Sequence, residues 1–131
     1  MIVLDTHAWI WFTSNPESLS QKAKEVVEAA VKEKNMLVSS ISAWEVALLV
    51  KKGRLKLTMD VNDWIANSEN LPFIHFIPVT NAIAVKSVNL PPPHQPDPAD
   101  RIIIATALST GSPIVTKDKK ISDYSHVKTI W

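Results

Sequence analysis

Cysteine is absent from this chain of 131 residues. That excludes a disulfide framework and a thiolate metal site, and makes the reducing cytoplasm the expected compartment. Also missing is any apolar run long enough to cross a bilayer, and the N-terminus lacks the basic start and apolar stretch of a signal peptide. The expectation is a soluble protein with no membrane partner. Charge of one sign is lacking too, the formal net charge being +1, so no broad basic surface is available. Contact with nucleic acid would have to use local clusters such as Lys51, Lys52, Arg54 and Lys56, or Lys117, Lys119 and Lys120. Runs of this kind are ordinarily solvated faces. There is no internal repeat. The one low-complexity stretch, Pro91-Pro92-Pro93 leading into His94-Gln95-Pro96, reads as a stiff connector within a domain.

What is present suits one globular domain over residues 1–131. Hydrophobic residues make up 46% and charged residues 21%, which argues against disorder. A chain of this length buries roughly two-thirds of its unfolded surface. Apolar runs short enough to be strands fall at Ile2-Leu4, Met36-Ser39, Phe76-Val79, Pro113-Thr116 and Val127-Trp131. Helical patterns lie between them. Ala23, Val26, Val27, Ala30 and Val31 recur on one helical face, with Glu28 and Lys32 as an outward pair. Trp44, Ala47 and Leu48 set a helix starting near Ser42; Val61, Trp64 and Ile65 set another after Asp60; a further one covers Asn81 to Val88. The last has clear punctuation, with Asp97 to cap it, Pro98 in its first position and Gly111 beyond its end. Strands alternating with helices predict an α/β fold, with a mainly parallel central sheet of four to five strands and helices on both faces.

Four acids stand at structural joints: Asp5 after the first strand, Glu45 in Ser42-Ala43-Trp44-Glu45, Asp100 in Asp97-Pro98-Ala99-Asp100-Arg101, and Asp118 in Val115-Thr116-Lys117-Asp118. Each has a structural reading. Ser42-x-x-Glu45 is a capping box, and taken alone Glu45 reads better as a cap than as a site residue. Asp100 suits a first helical turn, Asp118 a turn, and Asp5 or Thr6 the start of a helix. Taken together, Asp5, Glu45 and Asp118 all follow predicted strands and open toward the carboxyl edge of a parallel sheet, where such folds bind ligands. If the fold gathers these acids, their repulsion demands a cation, and oxygen-only ligands select Mg²⁺ or Mn²⁺. Nothing local places Asp100 with them.

With these four acids in this order, Thr6 after the first and Ile102-Ile103-Ile104-Ala105 after the third, the whole chain resembles PIN-domain ribonucleases, and more narrowly the VapC-type toxins of toxin–antitoxin pairs. The resemblance implies a metal-dependent endoribonuclease that hydrolyses RNA phosphodiester bonds. It carries Asp5, Glu45, Asp100 and Asp118 over as catalytic acids. Asp5, Asp100 and Asp118 become the metal ligands, and Glu45 a ligand through water or an orienter of the attacking water. Thr6 and Thr116 are candidates for hydrogen bonds to those acids or to substrate phosphate, and Arg101 for contact with phosphate, its structural alternative being a surface ion pair with Asp97. Asp97 matches the family's earlier aspartate and is read as the helix cap; Asp123 is the nearest candidate for a further acid, at loose spacing. The histidines show no ligand spacing.

The segment Ala8-Trp9-Ile10-Trp11-Phe12 is apolar on every side as a helix, with Trp9 and Trp11 about 200° apart. Either it is wholly buried or an aromatic face made by Trp9, Trp11 and Phe12 is covered by another chain, a second copy in a homodimer or an inhibitor. The family resemblance implies a small cognate antitoxin there. Two rival functions remain: an aspartyl-phosphate phosphatase using Asp5, whose usual second aspartate two residues on is here His7, and a non-catalytic α/β binding module in which the acids are caps.

Overall fold

The computed structural model describes residues 1–131. Five strands form one wholly parallel sheet in the order β3-β2-β1-β4-β5, with β1 at Ile2–Leu4, β2 at Met36–Ser39, β3 at Ile74–Ile77, β4 at Ile114–Val115 and β5 at Thr129–Ile130. Seven helices join them: α1 (Thr6–Ser14), α2 (Gln21–Glu33), α3 (Ser40–Lys51), α4 (Val61–Glu69), α5 (Asn81–Val88), α6 (Pro98–Thr110) and α7 (Lys119–Ser122). A short 3₁₀ turn lies at Pro16–Ser18. No helix is long and apolar enough to cross a membrane.

β1, β2 and β4 are almost wholly apolar and fully buried because both of their faces are covered, whereas the edge strand β3 exposes His75. Ile2, Leu4, Met36 and Val38 point into a core shared with α1, α2 and α4, through Trp9, Val27 and Trp64 among others. Val3 and Leu37 point the other way, against Ile103, Ile104 and Ala107 of α6 and Ile121 of α7, while α5 packs on α6. α3 touches α1, α4 and α6. The chain runs outward from β1 through β2 to β3 and then crosses to β4 on the other side of β1. That reversal opens a crevice beyond the carboxyl ends of β1 and β4, the usual ligand position in open α/β sheets.

Caps fix where most helices begin. Ser20, Ser39, Asp60, Thr80, Asp97 and Asp118 each accept a hydrogen bond from a backbone N–H of the following turn. Gly111 closes α6 at φ 63°, a left-handed conformation that glycine adopts without steric cost.

Several local boundaries differ from those read in the sequence. β3 ends before Pro78, whose missing N–H cannot join the ladder. β4 and β5 are two residues each, shorter than the apolar runs that contain them. The helix expected from Ser42 starts at Ser40, because Ser39 is the cap and its Oγ accepts from Ile41 N at 3.2 Å. The Ser42–Glu45 capping box therefore does not form. The face carrying Trp44 and Ala47 is turned outward, with Trp44 57% exposed, while Ser42 and Val46 are buried. α7 occupies what reads as a Lys-Asp-Lys-Lys turn.

Candidate active site

Asp5, Glu45, Asp97, Asp100 and Asp118 line one cleft of about 480 Å³ at the carboxyl edge of the sheet, together with Thr6, His7, Trp11, Ile103, Lys117 and Lys120. Each acid arrives by a different route. Asp5 is the first residue beyond β1 and the cap of α1, its Oδ1 accepting from Ala8 N at 2.9 Å. Glu45 projects from the second turn of α3. Asp118 caps α7 just past β4, its Oδ1 accepting from Lys120 N at 2.8 Å. Asp100 lies in the first turn of α6, whose Ile103 and Ile104 bury against the sheet and so seat that turn at its edge. This packing supplies what local sequence does not: it brings Asp100 to the other three. Asp97 caps the same helix, accepting from Ala99 N at 2.8 Å, and also faces the cleft.

Two threonines hold the acids in place. The Thr116 hydroxyl donates to Asp5 Oδ2 and accepts from Asp118 N at 3.0 Å. The Thr6 hydroxyl donates to Glu45 Oε1 at 2.5 Å and lies 2.9 Å from Ser42 Oγ. Both threonines are buried. Of the two roles expected for them, the geometry records the hydrogen bonds to acids. Arg101, expected to contact phosphate, instead turns its guanidinium onto the carbonyls of Gln95 and Pro96, at 2.5 and 3.2 Å. It braces the proline-rich loop and is absent from the cleft wall. Asp123 pairs with Lys119 on the surface at 3.3 Å, outside the cleft.

The cleft is electrically uncomfortable. Burial pushes the Asp5 carboxyl above its usual range, an effect opposed by the hydrogen bonds from Thr116 and Ala8 and by nearby His7. Burial raises Glu45 as well, against the Thr6 hydrogen bond, with Asp97 adding repulsion. Asp100 is pushed up to about 7, first by burial and then by Asp97, Asp118, Glu45 and Asp5. With five carboxylates facing two lysines, the ionised cleft carries about three excess negative charges and repels a polyanion unless cations enter.

The donor set suits a hard divalent cation, since every acidic ligand offers oxygen and no thiolate is present. No three of these groups stand close enough together to enclose an ion directly. Direct ligation would fall to fewer carboxylates, with water completing the shell, which Mg²⁺ readily accepts.

The helix α1 divides its aromatics. Trp9 is 0% exposed, packed against Trp64 and Phe76 with its indole N–H on Ser68 Oγ at 3.0 Å. It is core, and its assignment to a partner surface is corrected, because a side chain enclosed by the sheet and α4 has no face to offer. Trp11 lines the acidic cleft and Phe12 packs edge-on to Phe73 beside a second groove. His7, absent from the sequence-derived site, lies in the cleft one helical turn before Trp11. The spacing of four on a helix that starts at the site acid is the signal that would have placed it.

The PIN domain family matches residues 2–127. "Ribonuclease VapC22" of Mycobacterium tuberculosis is 32% identical over 132 residues, covering 99% of this chain and 98% of that protein. Among solved structures, a toxin–antitoxin complex from Klebsiella pneumoniae shares the fold at TM-score 0.65 and 21% identity, covering 100% of this chain and 97% of that one. So does VapBC2 from Rickettsia felis bound to a DNA fragment from its promoter, at TM-score 0.68 and 14% identity, covering 99% and 98%.

Proposed function

This chain belongs to the PIN-domain family, and from that premise we propose that it is a Mg²⁺- or Mn²⁺-dependent endoribonuclease, the toxin of a toxin–antitoxin pair, acting in the cytoplasm. The observation that carries this reading is the meeting of Asp5, Glu45, Asp100 and Asp118 in one cleft from four separate segments of the chain. Helix capping alone gives no reason for that convergence. Family membership and the whole-length likeness to a ribonuclease support it.

Asp5, Asp100 and Asp118 are the residues that would hold the cation, at most two of them directly and the rest through its water shell, with Thr116 fixing the first and third. When bound, a divalent cation makes a water nucleophilic near neutral pH and offsets charge on the phosphorus oxygens. Glu45, with one oxygen held by Thr6, keeps the other to orient the attacking water. Lys117 and Lys120 at the rim attract phosphate. The phosphatase alternative lacks its second aspartate, since position 7 is histidine. Cleavage of labelled RNA by the purified protein, present with Mg²⁺ or Mn²⁺ and absent with EDTA or in Asp5→Asn, tests the proposal. A wild-type protein inert with every divalent cation, or a fully active Asp5→Asn, overturns it.

For the antitoxin, the fitting surface is a groove of about 680 Å³ walled by Phe12, Leu57, Met59, Trp64 and Leu71. Structural neighbours of this chain were solved as toxin–antitoxin complexes, and an apolar segment of such a partner suits these walls. A second copy of the chain is assigned to the outward apolar side chains Trp44, Val85 and Val88, which are 57, 61 and 74% exposed. Sedimentation of Trp44→Ser as a monomer, against a dimeric wild type, is the expected result.

A further inference from the structure

One wall of the acidic cleft is aromatic, and the hydrolytic reading leaves it without a role. Trp11 lines the cleft beside Asp5 and Asp118. The His7 ring stands next to it with centroids 5.7 Å apart, and Trp131 also packs against it at 5.7 Å. Trp11 packs against the main core on one side and, half-buried, keeps part of its surface in the cleft, where Trp9 has none. Lys117 Nζ lies 5.9 Å from the Trp11 ring centroid, at the outer reach of a cation–π contact, so it is loosely held there. Lys117 and Lys120 are both exposed on the same cleft wall.

A π surface, two exposed cations and a hydrolytic centre thus share one cleft. Single-stranded nucleic acid meets all three at once, because an unpaired base can stack while its flanking phosphates lie against ammonium groups. A duplex, whose bases are already stacked on one another, has no free base face to place on the indole.

We propose that Trp11, with His7 beside it, is a stacking platform for an unpaired nucleobase next to the scissile phosphate, and that Lys117 and Lys120 take the adjoining phosphates. The inference rests on the ribonuclease reading and adds to it a positioning residue, Trp11, outside the acidic set. Stacking accepts every base, so the platform positions the strand more than it selects sequence.

The test uses a short fluorescein-labelled single-stranded RNA of mixed sequence, with anisotropy read in Ca²⁺ and cleavage kinetics in Mg²⁺ or Mn²⁺. Trp11→Leu keeps apolar bulk against Trp131 and removes the π surface, whereas Trp11→Phe keeps a smaller one. Trp11→Leu should weaken binding at least about 5-fold and raise KM more than it lowers kcat, with Trp11→Phe recovering most of the loss. RNA with an abasic ribose at the stacked position should bind the wild type as weakly as intact RNA binds Trp11→Leu, and combining the two changes should cost nothing more. Unchanged binding in Trp11→Leu overturns the proposal, as does a loss confined to antitoxin association, or an equal loss in both variants with a lowered Tm. If the wild type binds RNA through Trp11 yet never cleaves it, the platform stands and the ribonuclease reading falls. Cleavage that is indifferent to Trp11 has the opposite meaning.

Discussion

The Thr116 hydroxyl donates to the Asp5 carboxylate across 111 residues of sequence, tying the carboxyl end of β4 to that of β1. The same oxygen accepts from the backbone N–H of Asp118. One side chain therefore sets the position of two acids at the crevice.

Replacing Thr116 with Val keeps the shape and removes both bonds. The buried Asp5 oxygen and the Asp118 N–H lose their partner, a cost of about 1–3 kcal/mol. Thr116→Val should melt earlier and lose most RNA cleavage, and Thr116→Ser should recover both. A Thr116→Val protein of normal Tm and activity would remove the threonine from the site's support.

Glu45 lies inside α3 and caps nothing, since Ser39 caps that helix. Glu45→Gln retains an oxygen for the Thr6 hydroxyl and deletes the charge. Stability should stay within about 0.5 kcal/mol of wild type while cleavage is lost. Retained cleavage would exclude Glu45 from the chemistry.

Asp100 receives no stabilising hydrogen bond in the cleft and is pushed from 3.8 up to about 7, by burial first and by its acidic neighbours second. A carboxyl raised in the folded state binds its proton more tightly there than in the unfolded chain, so folding stability falls as pH rises between those two values. Asp5 and Glu45 act in the same direction. Urea melts of the metal-free protein should therefore give lower stability at pH 8 than at pH 5, with the deficit narrowed by Mg²⁺ or Mn²⁺. Asp100→Asn should flatten this dependence and abolish cleavage without lowering the Tm at pH 8.

The two aromatics Trp9 and Phe12 should separate folding from association. Trp9→Ala removes a fully enclosed indole and should cost about 3–5 kcal/mol of stability. Phe12→Ala should weaken antitoxin binding by ~2 kcal/mol in calorimetry, with a much smaller change in Tm than Trp9→Ala. Equal antitoxin affinity in Phe12→Ala and wild type would move the partner off this groove.

Which segments become strands, the two ends of α6 and the order of the acids are local matters, and the sequence by itself determined them. A short apolar run between turns, or Asp97-Pro98 at one end and Gly111 at the other, specifies its element through backbone geometry that neighbouring residues alone control. Periodicity chooses a buried face only when a helix has a polar side. α2 has one, and its buried face of Ala23, Val27 and Ala30 is legible. α1 and α3 are apolar nearly all round, so the sequence could not say that Trp9 faces the core, Trp11 the cleft and Trp44 solvent. Tertiary packing decided those directions, and it turned Ser42 inward, leaving the cap of α3 to Ser39. It also decided the site. Asp100 reaches the other acids because α6 lays Ile103 and Ile104 on the sheet, and Arg101 leaves for the carbonyls of Gln95 and Pro96. Such long-range placements follow from which faces bury against one another, a property of the assembled core that no single segment contains.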